Sequence, residues 1–268
     1  MKLYNNIAVY IHIPFCDHKC IYCDFYSITK TENLEEFIKA IKIEILNSKK
    51  YFENSKISSI FFGGGTPSLL TPTQIAEILN TFYSNYSLSD DVEITLETNP
   101  GTVDLDKLKE FKTIGINRLS VGVQSFNDSE LKFLTRIHNK EQAIETINSG
   151  SKAGFNNINL DLIFNLPKQT WDIWHANLET AINLPITHIS AYSLILERGT
   201  ILNKMVLDKK VKMNEEDFDA SLYESTIEFM SKRKFNQYEV SNFCKDGYEC
   251  KHNLAYWEHK NYIGFGPS

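Results

Sequence analysis

Six times along this chain a short apolar run gives way to a polar or glycine-bearing loop and then to a stretch with helical spacing. The runs are Ile7–Ile13, Ile57–Phe62, Val92–Glu97, Asn117–Val123, Asn157–Ile163 and Thr187–Leu194. Near-continuous apolar runs of this length suit strands covered on both faces. The first predicted helix runs from Asn33 to about Lys49, with Leu34, Phe37, Ile38, Ile41 and Ile45 on one face. Asn33 followed by Glu36 three residues on reads as a capping box. Further helices are predicted over Thr73–Tyr83, from Asp104 to a close at Gly115, near Asp128, over Lys140–Ala153 and over Trp171–Ile182. Strand–helix units repeating every 30–40 residues or about that imply a parallel sheet with right-handed crossovers. A chain of 268 residues with 42% hydrophobic content can build one large α/β domain or two smaller ones. An open doubly wound sheet and a partial (βα)6 barrel of the TIM type both fit the alternation. No G-x-G-x-x-G follows the first run, and polar residues recur at the C-terminal ends of many runs, where barrels carry their sites. The expected fold class is therefore α/β, a partial (βα)6 TIM-type barrel.

The densest chemistry follows the first run. Cys16, Cys20 and Cys23 fall within eight residues as C-x3-C-x2-C, and Pro14 places them on a loop at the strand's end. Flanking Asp17, His18, Lys19 and Asp24 are not a core environment. Three thiolates on one loop can hold three corners of an iron–sulfur cube and leave the fourth iron open. A zinc site with His12 or His18 as fourth ligand is a second reading. A disulfide would leave one thiol over and needs an oxidising compartment.

Other candidates stand at the ends of later runs. Gly63-Gly64-Gly65-Thr66 exposes backbone for close approach of a ligand, or simply makes a tight turn. Glu97 is an acid where a strand meets its loop. Gln124 and Asp161 each interrupt an otherwise apolar run, and burying either without a partner is costly. Arg136, twelve residues after Gln124, could pair with a carboxylate of the protein or of a ligand.

The C-x3-C-x2-C loop resembles that of the radical S-adenosylmethionine (radical SAM) superfamily. The wording Tyr10-Ile-His-Ile-Pro-Phe-Cys16 is similar to one branch, the oxygen-independent coproporphyrinogen III oxidases and the related haem chaperones called HemW. The resemblance implies a [4Fe-4S] cluster on Cys16, Cys20 and Cys23 and the same barrel fold. It implies SAM contacts at Tyr10, Gly64, Gly65, Thr66, Glu97, Gln124, Arg136 and Asp161, with Ile195 near the adenine. It further implies that SAM chelates the open iron and that one-electron reduction releases a 5′-deoxyadenosyl radical; whether SAM is cleaved or only bound here stays open.

One position departs from the oxidases. They carry a fourth cysteine two residues after the third, where this chain has Phe25. His252-Asn253-Leu254-Ala255-Tyr256-Trp257 resembles the haem chaperones, and an imidazole beside two aromatic rings suits a haem. Packing in the core is the alternative for all three side chains. The resemblance thus favours a haem chaperone that delivers haem to an acceptor protein, with coproporphyrinogen oxidation as the alternative, and implies an electron donor such as a flavodoxin or ferredoxin. A helix over Glu215–Arg233 is expected to pack on the barrel's open side. Residues 1–234 are expected to form the radical SAM core and 235–268 the start of a truncated C-terminal region.

Composition narrows the partners. Net charge is 28 − 34 = −6 with no basic block, which argues against nucleic acid. Apolar runs are far short of the roughly 20 residues that span a bilayer, so any membrane contact is expected to be peripheral and through the acceptor. Five cysteines, three of them clustered, and no basic-then-apolar leader point to the cytoplasm.

Overall fold

The computed structural model describes residues 5–267. The repeating units are β1 (Asn5–Ile13), α1 (Leu34–Asn47), β2 (Ser55–Gly64), α2 (Pro72–Asn85), β3 (Leu88–Thr98) and α3 (Leu105–Thr113). They continue as β4 (Arg118–Gln124), α4 (Asp128–Phe133), α5 (Lys140–Lys152), β5 (Ile158–Phe164), α6 (Trp171–Ile182) and β6 (His188–Ser193). After β6 come α7 (Ile201–Leu207), α8 (Glu216–Ser231), β7 (Asn236–Gln237), β8 (Asn242–Cys244), α9 (Lys251–Trp257) and β9 (Asn261–Phe265).

Strand order is β7-β8-β6-β5-β4-β3-β2-β1-β9, so the six repeating strands are parallel and lie in sequence order. A doubly wound sheet reverses its order at a switch point. Here the order never reverses, and the fold is the partial barrel. β9 extends it, parallel to β1 from Ile7↔Asn261 to Ile11↔Phe265, while β8 pairs antiparallel with β6.

Side chains alternate across each strand. Ile94, Leu96, Leu119, Val121, Leu160, Leu162 and Ile189 face outward and join the main core against the helices. Each such fully buried side chain is worth roughly 1.5–3 kcal/mol. Their neighbours Glu97, Arg118, Ser120, Asp161 and Ser190 face the barrel interior. The barrel is thus apolar outside its sheet and polar within.

Two expectations need correction. Asn33 does stand at the N-terminus of α1, but its side chain makes no capping bond. Its backbone (φ −104°, ψ 23°) is not in the extended region from which a cap side chain reaches the next N–H groups. The reciprocal boxes form instead at Thr71 with Gln74 and at Asn139 with Gln142. Helix α8 lies on the outer layer beside α6, not over the barrel's open side. Trp174 Nε1 donates to Thr226 Oγ1 at 2.8 Å, Arg233 pairs with Glu179, and Tyr223 stacks on outward-facing Phe164.

Candidate functional site

The cysteine loop is stapled to the end of β2. Gly65 N–H donates to Ile13 O at 2.8 Å, and Thr66 N–H to Phe15 O at 2.7 Å. The loop packs so closely that a Cβ on Gly65 would lie 2.6 Å from Phe15 O and 2.9 Å from Cys16 Sγ. The glycines therefore let the thiol loop sit on the strand end, which is more than a tight turn requires. All five cysteines are free. Burial pushes the Cys16 and Cys23 thiols up.

Arg136 reaches the same loop from the segment after α4. Nη1 donates to Cys20 Sγ at 3.6 Å, and Nη2 to Asn99 Oδ1 at 2.6 Å and Gly122 O at 2.9 Å. Its Nε is buried without a hydrogen-bond partner among the described residues. Asn99 Nδ2 donates to Thr66 Oγ1 at 2.8 Å, and Thr66 donates to Cys16 Sγ at 3.6 Å. A Cβ on Gly122 would lie 2.9 Å from Asn99 Oδ1 and 3.0 Å from Gln124 Nε2, so a larger residue there would push these two side chains off their present positions. Gln124 itself has φ +67°. Left-handed backbone at a non-glycine costs on the order of 1–3 kcal/mol and is held only by its surroundings.

These groups open onto a cavity of about 430 Å3, within the range for small-molecule sites. Its lining includes Cys16, Cys20 and Cys23 at one end. Gly64, Gly65, Thr66, Glu97, Gln124, Arg136 and Asp161 form its wall, and exposed Ile195 and Phe25 stand at its mouth. Glu97 accepts from Gly64 N–H at 3.2 Å, and burial, helped by the charge of Asp161, pushes its carboxyl up to about 8. Asp161, also pushed up by burial, accepts from Asn159 Nδ2 at 2.7 Å and Ser120 Oγ at 3.3 Å.

The donor set fits a cluster and a nucleotide-sized cation beside it. Three thiols face a cavity, two receive hydrogen bonds from protein donors, and an orphaned guanidinium N–H and two deep carboxyl groups remain for a ligand. The two histidines of the zinc reading have other partners in this structure. His12 lies 2.8 Å from Tyr26 O and 3.3 Å from the Tyr10 hydroxyl, and His18 turns to Thr135 Oγ1 at 3.3 Å. Among the described residues no three His, Cys, Asp or Glu side chains gather around a single ion.

Two expected site residues stand elsewhere. Tyr10 is set back from the cavity, its ring stacked on Phe61 at 6.2 Å. His252 is buried deeper in the barrel and does not line the cavity. Its ring stacks on Phe61 at 4.9 Å, Nδ1 lies 3.0 Å from Ser59 Oγ and Nε2 3.2 Å from the Tyr256 hydroxyl. Burial pushes its imidazole down to about 3. With both nitrogens engaged, ligation of a haem iron would first break this packing. Tyr256 and Trp257 remain exposed.

Beneath the cavity a second set of charged groups anchors α9. Glu93 Oε1 accepts from His252 N–H at 3.1 Å and the Cys250 thiol at 3.4 Å, and Oε2 from Lys251 N–H at 3.2 Å. This carboxylate caps the helix from inside the barrel. Buried Arg118 lies within electrostatic range of Glu93 and Asp161.

Sequence reasoning missed Asn99, Glu93 and Arg118. The available signal was period-two spacing of polar residues inside apolar runs: Glu93, Thr95, Glu97 on β3; Arg118, Ser120, Gln124 on β4; Asn159, Asp161 on β5. No single polar residue carries that signal, but the set marks an inward polar face.

Among known proteins, a family model described as the radical SAM superfamily matches residues 10–181. The chain is 38% identical, over 97% of its length, to a Danio rerio protein named radical S-adenosyl methionine domain-containing protein 1, mitochondrial, of which it covers 59%. It is 37% identical to the heme chaperone HemW of Lactococcus lactis and 35% identical to that of Escherichia coli, over 97% of this chain and 68% of each relative. The chain thus spans 59% to 68% of the length of these curated relatives. The coproporphyrinogen III oxidase HemN of Escherichia coli, described as a radical SAM enzyme, superposes with a TM-score of 0.83 at 24% identity, covering 98% of this chain and 64% of that one. That likeness is one of fold.

Proposed function

This chain belongs to the HemW-like branch of the radical SAM superfamily, and on that footing we propose that it is a haem chaperone that carries a SAM-binding [4Fe-4S] cluster. The observation that carries the proposal is the cavity with three free thiols at one end and unfilled polar groups along its wall. Cys16, Cys20 and Cys23 would hold the cluster. When bound, it would supply an electron and an open coordination site to SAM. Arg136 Nε, left without a partner, suits the SAM carboxylate. Glu97, Gln124 and Asp161 supply polar contacts, Gly64, Gly65 and Thr66 the close backbone, and Ile195 an apolar rim. Tyr10 supports this wall from behind, through Phe61.

The haem reading draws on the relatives named heme chaperone and on the exposed rings of Tyr256 and Trp257. We assign His252 to packing beneath those rings and not to the haem iron, because both its nitrogens are engaged. In this proposal the haem contacts lie on α9, within residues 235–268, whose strands β8 and β9 extend the same sheet as the core. Reduced thiols suit a cytoplasmic location, and no helix among the described residues is long and apolar enough to cross a membrane. A haem-accepting protein and a flavodoxin- or ferredoxin-like electron donor complete the proposed partners.

The test is incubation of the anaerobically reconstituted chain with SAM and, separately, haem and coproporphyrinogen III. A shifted Soret band and haem transfer, with no decarboxylated product, support the chaperone. Protoporphyrinogen IX formation would establish the oxidase instead. Phe25 at the cavity mouth, where the oxidases carry a fourth cysteine, favours the first outcome.

A further inference from the structure

One side chain outside every expected set joins two of the three cluster thiols. Asn99 follows β3 and precedes Pro100, in a loop that the cysteine segment covers. Its amide orientation is forced by its partners. Arg136 has only donors, so the atom 2.6 Å from Nη2 must be the carbonyl oxygen. The amide nitrogen then faces Thr66 Oγ1 at 2.8 Å and donates to it. With its oxygen accepting from Asn99, the Thr66 hydroxyl directs its own proton to Cys16 Sγ at 3.6 Å. On the other side, Asn99 Oδ1 and Gly122 O hold the guanidinium so that Nη1 points at Cys20 Sγ at 3.6 Å. The result is a continuous path, Cys20–Arg136–Asn99–Thr66–Cys16, in which one primary amide orients both donors to sulfur.

Hydrogen bonds and nearby positive charge at the ligand sulfurs raise the reduction potential of an iron–sulfur cluster, because they stabilise the more negative reduced state. Partners outside the ligand set that orient such contacts tune the metal without touching it. We propose that Asn99 is a positioning residue for the cluster and sets its potential by orienting Thr66 toward Cys16 and Arg136 toward Cys20. No other type of similar size serves both roles. Aspartate has no donor for Thr66, so the hydroxyl would turn to the carboxylate and leave Cys16. Leucine orients neither. The proposal rests on the reading that these thiols hold a [4Fe-4S] cluster, and it concerns only what this chain does to that cluster.

The test uses the reconstituted chain without SAM, with iron and sulfide counted first and the midpoint potential measured by EPR-monitored redox titration. Wild type, Asn99→Asp, Asn99→Leu, Asn99→Gln and Thr66→Val are compared. The expected result is full cluster loading with a more negative potential in every variant, the shift being smallest in Asn99→Gln, which retains the amide. Asn99→Asp moves furthest, because it also neutralises Arg136. Resonance Raman bands of the terminal Fe–S bonds move up in the variants that lose a donor. The Thr66→Val shift is contained within that of Asn99→Leu, so the double variant adds little. Loaded variants whose potentials and Raman bands match wild type overturn the proposal while leaving the cluster intact. A wild-type chain that takes up no cluster overturns the proposed function itself. Should the Asn99 variants not load, Thr66→Val decides, since it cuts the same path one bond from the sulfur: an unchanged potential there also overturns it.

Discussion

The barrel interior holds buried charge at two levels, and they are finished differently. Glu93 and Glu97 lie on the same strand and the same face, four residues and about 13 Å apart. Glu93, the deeper of the two, receives three donors from the start of α9. Glu97, at the strand's C-terminal end, receives one backbone N–H and faces a cavity. The two levels also divide the other polar groups. His188 touches Asn159 and Tyr238, and His252 touches Ser59 and Tyr256. Near the mouth, Arg136 keeps an unpartnered Nε. Arg118 lies between them and shares features of both, since its Nε too lacks a partner among the described residues. Buried polar groups that protein atoms satisfy rigidify a fold, and those left short mark where a ligand belongs. The lower level is a plug and the upper level is a site.

The largest contrast is expected in iron content. Cys20→Ala should reduce iron from about four per chain to near zero, while Cys250→Ala, at the lower level, should leave it unchanged. Equal loss in both would erase the distinction between the levels. Next in size is stability. Glu93→Gln leaves Arg118 less compensated and turns one of the two oxygens that face the start of α9 into a donor, so denaturant unfolding should show a loss of about 1–3 kcal/mol, the range for leaving a buried hydrogen-bonding group unsatisfied.

Glu97→Gln should behave in the opposite sense. The Glu97 carboxyl is raised to about 8 from 4.5, so the folded state holds its proton after the unfolded chain has released it. That contribution is present below about pH 4.5 and is lost as pH rises toward 8, at up to about 1.4 kcal/mol per unit. Ligand-free Glu97→Gln should therefore gain stability relative to wild type between pH 5 and pH 8 and bind SAM more weakly. A pH-independent difference would place Glu97 with the plug.

The smallest effect is expected at His252. His252→Ala should lose about 1–3 kcal/mol through its hydrogen bonds and leave the haem Soret shift in place. Its imidazole is held down to about 3, so wild type should lose this stabilisation as pH falls from 6.5 toward 3, and the variant should not. A Soret shift abolished without loss of stability would return His252 to the haem.

What was legible in the sequence follows from range. Strands that are apolar on their outer face and flanked by helices read correctly from local pattern, and Trp171–Ile182 matches its predicted bounds. The cysteine loop was legible because its three thiols are neighbours in the chain. Asn99 was not, because its partners Thr66 and Arg136 lie 33 and 37 residues away. α9 and β9 are seven and five residues long, and α9 starts on a carboxylate 159 residues distant from His252, so no local signal announces its place. In the segment His252–Trp257 an imidazole beside aromatic rings has the same composition whether it is buried or exposed, so the burial of His252 beneath exposed Tyr256 and Trp257 had no local signal.

The most direct measurement is iron and sulfide analysis of anaerobically reconstituted protein, followed by EPR of the reduced protein with and without SAM. The account predicts about four irons per chain and a spectrum that changes when SAM is added. A colourless protein, zinc in place of iron, or a cluster spectrum indifferent to SAM would contradict it.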